Sequence, residues 1–229
     1  MRGLLVTGTD TGVGKTILSA ALLAAMAAAG ERVRAFKPVV TGVEEPPGPW
    51  PADHELLASV AGMTPQQVAP LRYGPAVSPH LAAALAGERI DPERLLAAAA
   101  AGHDETIVVE GVGGLLVPLD ADYTVCDFAV ALGLPVLIAA RAGLGTINHT
   151  LLTLRVARAE GLDVRAVVLT PWAAAPTKLE QSNRETIARL GAVEVEGLEH
   201  VESTASTDLA RAGAILPWRR WIGAAAASS

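Results

Sequence analysis

Nine consecutive residues, Gly8-Thr9-Asp10-Thr11-Gly12-Val13-Gly14-Lys15-Thr16, have the composition of a loop that grips phosphate. Small residues let backbone N–H groups close around phosphate oxygens, and a following helix turns its positive end toward them. The lysine then reaches the β- and γ-phosphates and the threonine hydroxyl ligates Mg²⁺. Five residues separate Gly8 from Gly14, so Thr9 takes the place of the first glycine in the common G-x-x-x-x-G-K-[ST] form. The competing reading is a glycine-rich structural turn. The Gly-Lys-Thr ending, set between an apolar run and a helical stretch, favours nucleotide binding.

Lys37 opens a second segment, Lys37-Pro38-Val39-Val40-Thr41-Gly42. An ammonium there would add positive charge where a transferring phosphoryl group becomes more negative; the alternative is a solvated lysine at a strand end. The chain has three lysines, Lys15, Lys37 and Lys178, against fifteen arginines, so a retained lysine points to a position that a guanidinium fork does not fill. Glu110, preceded by apolar residues and followed by Gly111-Val112-Gly113-Gly114, has the setting of a carboxylate that bridges Mg²⁺ or water beside a close backbone approach. Asp53 stands at a helix start, where N-capping explains it as well as metal association does. Cys126 reads as a small buried hydrophobe, His149 as a turn or capping residue, and Trp218 and Trp221 as packing residues. His80 has no second histidine or cysteine at ligand spacing.

These side chains need elements to position them. Residues 3–7 form an apolar strand that stops at Gly8, residues 16–29 a helix closed by Gly30, and residues 32–36 a strand that meets Lys37-Pro38. Residues 44–51 hold four prolines and read as a loop within one domain. Helices are expected over 54–61 and 91–101, the second with Asp91 as N-cap and Pro92 at its first position. Residues 73–80 read as irregular. Strands are expected over 106–110, ending at Gly111, over 135–140, and over 164–170, stopped by Pro171; helices are expected over 147–159 and 178–190. The pattern weakens after Gly197, and 224–229 reads as a frayed tail. Strands alternating with helices predict one α/β domain over 1–223, a P-loop NTPase with a mostly parallel sheet covered by helices on both faces. Its ligand loops should lie at the carboxyl ends of the strands, where Lys15, Lys37 and Glu110 fall.

Composition narrows the function classes. Of 229 residues, 51% are hydrophobic and 18% charged, enough apolar surface to offset the ordering entropy of a folded core. A net charge of −6 argues against a nucleic-acid-binding surface. The apolar stretches over 17–29 and 128–140 are shorter than the ~20 residues of a membrane span, and residues 1–8 do not read as a signal peptide. With one cysteine and no such segment, a soluble cytoplasmic protein is expected.

Five motifs in register carry a resemblance: the loop from Gly8 to Thr16; Lys37-Pro38-Val39 with Thr41-Gly42; Ser78-Pro79-His80; Val109-Glu110-Gly111 with Gly113-Gly114; and Leu144-Gly145 with Ile147-Asn148-His149. In their order and spacing the chain resembles the dethiobiotin synthetases to about Arg189. The resemblance implies an ATP-dependent ligase that joins 7,8-diaminononanoate and CO₂ into dethiobiotin for biotin synthesis, through a carbamate and a carbamic-phosphoric anhydride, with Mg²⁺. It implies catalytic roles for Lys37, Lys15 and Thr11, and diamine or carbamate contacts from Thr11 and Thr41. Nucleotide contacts are implied for Gly12, Val13, Gly14, Lys15, Thr16, Ile17, Asp53, Glu110, Gly111, Val112 and Gly113. Thr170, Pro171, Leu198, Glu199 and His200 fall on the base side. Mg²⁺ is implied at Thr16, Asp53 and Glu110. The family is a homodimer whose substrate tail reaches the partner, in the region that Gly143, Leu144 and Asn148 match.

The chain departs from the family pattern in places. Gly12 stands where some members have glutamate, and Asn183 where some have an aromatic near the substrate. Thr170-Pro171 replaces an asparagine that reads adenine, so one hydroxyl stands in for an amide that both donates and accepts; looser base discrimination, with CTP or another triphosphate accepted, is expected. Two other classes share the motif. Cobyrinic or cobyric acid amidotransferases append a glutaminase domain with a cysteine nucleophile, for which only Cys126 is on offer. Partition and division-site switch ATPases carry an extra lysine early in the loop, where Thr9, Asp10 and Thr11 stand.

Overall fold

The computed structural model describes residues 1–46, 48–102 and 105–222, and the tail expected at 224–229 lies outside them. Strand β1 (Arg2–Gly8) is buried from its second residue on, and the glycine-rich loop carries the chain from it into α1 (Lys15–Ala28), whose alanines and leucines pack on nearly every side. Next come β2 (Val33–Phe36) and β3 (Val39–Thr41), which flank Lys37, and then α2 (Asp53–Ala61), α3 (Pro65–Val68), β4 (Leu71–Tyr73), α4 (Pro79–Leu85) and α5 (Pro92–Ala100). Strand β5 (Thr106–Gly114) leads through the hairpin of β6 (Pro118–Asp120) and β7 (Tyr123–Thr124) into α6 (Val125–Leu132). The order closes with β8 (Val136–Ala140), α7 (Thr146–Ala159), β9 (Val164–Trp172), α8 (Lys178–Gly191), β10 (Glu194–Glu199), α9 (Ser206–Ala214) and α10 (Trp218–Trp221).

Six strands pair in the order β10-β9-β8-β1-β5-β2, every pairing parallel. Side chains alternate between two buried faces, as a strand period of two requires. Leu4, Val6, Leu137 and Val168 pack toward α1, α2 and α9, while Leu5, Ile107, Ile138 and Val167 join the residues of α5 to α8. The expected α/β architecture is therefore present. β1 lies between β8 and β5, where the winding reverses, and the loops at this carboxyl edge form the crevice typical of such sheets.

Four expectations need correction. β5 does not end at Gly111: its ladder continues until Gly114 pairs with Gly8, because the glycines let the two backbones stay close, so Glu110 lies within the strand. β9 does not stop at Pro171 but runs through the cis Thr170-Pro171 bond to Trp172, which aligns with Glu199 of β10. Residues 73–80 are not irregular throughout, since Tyr73 ends β4 and Pro79 opens α4. The weak pattern after Gly197 conceals α9, which lies so close to α1 that a Cβ on Gly213 would stand 2.0 Å from the Ala21 carbonyl oxygen. Trp218 and Trp221 are buried core residues, as expected.

Candidate nucleotide and catalytic site

The loop after β1 is shaped by its glycines. Gly12 and Gly14 have φ of 68° and 89°, and a Cβ on Gly14 would meet the Thr170 methyl at 2.5 Å. The Thr9 N–H donates to the Ala139 carbonyl at 3.0 Å and the Thr11 N–H to the Asp10 carboxylate at 2.7 Å. No side chain caps α1 and no acid stands in its first turn, so its positive end is left for an anion. The Lys15 ammonium folds back onto the Asp10 carbonyl at 2.8 Å. Burial pushes it down to about 8, with Glu110 partly opposing the shift and Lys37 adding to it.

Lys37, from the connection between β2 and β3, meets both acids. Its ammonium donates to Asp53 Oδ2 at 2.6 Å and to Glu110 Oε1. Burial alone would strip its proton, but Glu110 and Asp53 outweigh it and hold the ammonium above its ordinary value. Burial would likewise raise the Asp53 carboxyl, and the neighbouring Lys37 keeps it below the usual carboxylate range. Asp53 is the first residue of α2 rather than its N-cap, which is Ala52, so the capping alternative is not the one the fold uses. Glu110 is 0% exposed; Oε1 also accepts the Thr16 hydroxyl at 2.9 Å, and Oε2 is buried with no hydrogen-bond partner among the described residues.

The unused acceptor of Glu110, the Asp53 carboxylate and the Thr16 hydroxyl are all hard oxygen donors. That set suits Mg²⁺ held jointly with phosphate oxygens, with Thr16, Asp53 and Glu110 as its protein side. Among the described residues no three His, Cys, Asp or Glu side chains cluster as a metal site of their own.

Thr11, Gly12, Gly14, Lys15, Thr16, Ile17, Lys37, Thr41, Asp53, Val112 and Gly113 line one cleft of about 750 Å³, closed on the far side by residues 76–79 and Val117. Gly111 is buried behind it, and the Val13 side chain packs into the core. Thr170 is buried against Gly14, and Pro171 follows it at the surface. The Leu198 side chain belongs to the core, while Glu199 and His200 are exposed. Gly143, Leu144 and Asn148 lie outside the cleft, exposed at the start of α7; Leu144 is 92% exposed, and a small cavity there also includes Arg141 and His149. Sequence reasoning missed Arg141, which follows β8 and whose guanidinium donates to the Gly12 carbonyl at 3.4 Å. Its place just beyond the carboxyl end of a central strand was the available signal. Cys126 is buried in α6, where burial pushes its thiol up.

A parallel sheet with a lysine-bearing glycine loop at its winding reversal, backed by a buried acid and a second lysine, defines a P-loop nucleotide-dependent enzyme. A family model described as an AAA domain matches residues 2–206. The chain is 44% identical over 213 residues to the ATP-dependent dethiobiotin synthetase BioD of Anaeromyxobacter sp. (strain Fw109-5), covering 90% of this chain and 93% of that one. It is 35% identical to the synthetase of the same name from Bacillus subtilis (strain 168), covering 86% and 87%. The chain belongs to the ATP-dependent dethiobiotin synthetase family. Among solved structures, a ParA family ATPase from Chlorobium tepidum TLS shares the fold at a TM-score of 0.50 and 14% identity, covering 96% and 92% of the two chains. Among the described residues no helix is long and apolar enough to cross a membrane.

Proposed function

We propose that this protein, a cytoplasmic homodimer, converts 7,8-diaminononanoate and CO₂ to dethiobiotin with ATP and Mg²⁺. The observation that carries this reading is Lys37 held between Asp53 and Glu110 in the cleft that Lys15 and the glycine loop share. One amine of the substrate bonds to CO₂ and loses a proton, giving a carbamate. A carbamate oxygen then attacks the γ-phosphorus as the bond to the β–γ bridging oxygen breaks and ADP leaves. The second amine attacks the carbamoyl carbon, the carbon–oxygen bond to phosphate breaks, a proton departs, and the ureido ring closes with release of phosphate.

Each step adds or moves negative charge, which fixed cations stabilise better than mobile water does. Residues 12–17 cradle the phosphates, with Lys15 swinging from the Asp10 carbonyl to the γ-phosphoryl oxygens. Lys37 faces the carbamate and the transferring group, while Thr11 and Thr41 orient the diamine. Thr16, Asp53 and Glu110 would hold Mg²⁺, which when bound would supply further positive charge beside the phosphates. Glu110 and residues 111–113 complete the phosphate side. Thr170, Pro171, Glu199 and His200 lie on the base side, where the core-buried Leu198 side chain takes no part, and with no asparagine at 170 the enzyme takes CTP as well as ATP. The carboxylate tail of the diamine meets Gly143, Leu144 and Asn148 across a dimer interface, which the exposed Leu116, Leu144 and Leu152 favour.

The test is incubation with diaminononanoate, bicarbonate, Mg²⁺ and each nucleoside triphosphate in turn, following dethiobiotin and phosphate. Dethiobiotin forms with ATP and with CTP; no product with any nucleotide would overturn the assignment.

A further inference from the structure

Asn183, on the face of α8 turned toward α7, is a polar side chain buried to 4% exposure. Its side-chain nitrogen donates twice, to the Ala142 carbonyl at 2.8 Å and to the Gly143 carbonyl at 3.1 Å. Bonding two successive carbonyls takes an NH₂ group. A carboxylate has no proton to give, and a phenol or hydroxyl has one. The peptide bonds of this segment are trans, so each N–H points opposite to the carbonyl of its own peptide plane. With the carbonyls of residues 142 and 143 drawn toward α8, the N–H groups of Gly143 and Leu144 are turned away from it. Neither has an acceptor among the described residues. They stand immediately before α7, a helix of 14 residues whose N-cap is Gly145 and whose first turn has no acid.

From this geometry we infer that Asn183 is a positioning residue for the acidic tail of the diamine. It never touches substrate. It holds two peptide planes so that the amides of Gly143 and Leu144 face outward as a preformed pair of donors for a carboxylate, a concavity of the kind successive N–H groups make. The inference rests on the proposed reaction, because the tail is that of the proposed substrate.

Steady-state phosphate release by the full chain tests it, with two diamines: 7,8-diaminononanoate and octane-2,3-diamine, which keeps the reacting amines but lacks the carboxylate. Asn183→Asp removes both donors with little change of shape. It should raise KM for diaminononanoate roughly tenfold, the loss expected when a buried pair of hydrogen bonds is replaced by repulsion, with kcat and KM for ATP within about twofold of wild type. With octane-2,3-diamine the variant and wild type should match. An unchanged KM for diaminononanoate overturns the inference, and so does an equal loss on both diamines, which would mark a scaffold residue. If the aspartate variant does not fold, Asn183→Ala carries the same comparison without the charge. A wild type that forms no dethiobiotin overturns the proposed reaction itself and the inference with it, whereas wild-type turnover with an unaltered variant overturns the inference alone.

Discussion

Lys37 is useful for the charge it keeps. An isolated buried ammonium gives up its proton, but here Glu110 and Asp53 reverse the effect of burial, so the side chain is held as a cation and not as a base. Lys37→Gln retains the length and one donor but not the charge. Turnover should fall roughly 10²-fold or more, while nucleotide affinity, measured by titration without diamine, stays near wild type. Gly14 is limited by backbone instead. At φ 89°, with Thr170 against it, Gly14→Ala should weaken nucleotide binding at least about tenfold in the same titration, because the loop must shift to admit a methyl group. Both residues read from the sequence as parts of a phosphate site, and both line one cleft. The acids were less legible: the type of Asp53 and its place at a helix start suit a cap equally well, and the structure separates the two roles, with Ala52 as the N-cap and Asp53 in 2.6 Å contact with Lys37.

At the level of elements, two contacts between distant segments can be tested. α9 packs on α1, the helix that begins at Lys15, and Gly213 permits the close approach. Gly213→Ala forces these helices apart and should cost about 1–3 kcal/mol. In a domain of this size each kcal/mol lowers Tm by about 2–4 °C, which calorimetry would register. Elsewhere, Tyr73 at the end of β4 donates its hydroxyl to Glu88 beyond α4 at 3.1 Å. Burial, reinforced by Glu88, pushes the phenol up to about 12, so the folded chain favours the neutral form. An unfolded tyrosine ionises near ~10, so this contribution to stability is complete below that pH and is lost as pH rises through about 12. Alkaline unfolding of wild type and Tyr73→Phe should therefore differ most at neutral pH, with the gap closing across that window. The helices and central strands were readable from periodicity, but the ends of β5 and β9 were not. Glycine and proline usually close a strand, yet here the neighbouring strands continue to supply hydrogen-bonding partners beyond Gly111 and Pro171.

For the whole molecule, the exposed leucines are the telling surface. Leu116, Leu144 and Leu152 are 64%, 92% and 55% exposed, and Leu116 and Leu152 border one shallow apolar groove. If two copies meet there, sedimentation should give twice the 23.5 kDa of one chain. Leu152→Glu should then yield monomers with a higher KM for diaminononanoate, since the substrate tail would lose the surface on which it rests.

What the sequence determined by itself was local: a glycine-spaced phosphate loop, the residue type of the second lysine, and strands and helices that alternate with their own periods. These follow from neighbours within one or two turns of chain. The tertiary structure decided what depends on distance along the chain. Lys37 finds Glu110 across 73 residues, and Asn183 finds Ala142 across 41. Such meetings are set by the order in which strands enter the sheet and by how helices pack over it, and no local pattern records either. A carboxylate thus becomes a partner of Lys37, and an amide a partner of the loop before α7, only once the sheet has brought their elements together.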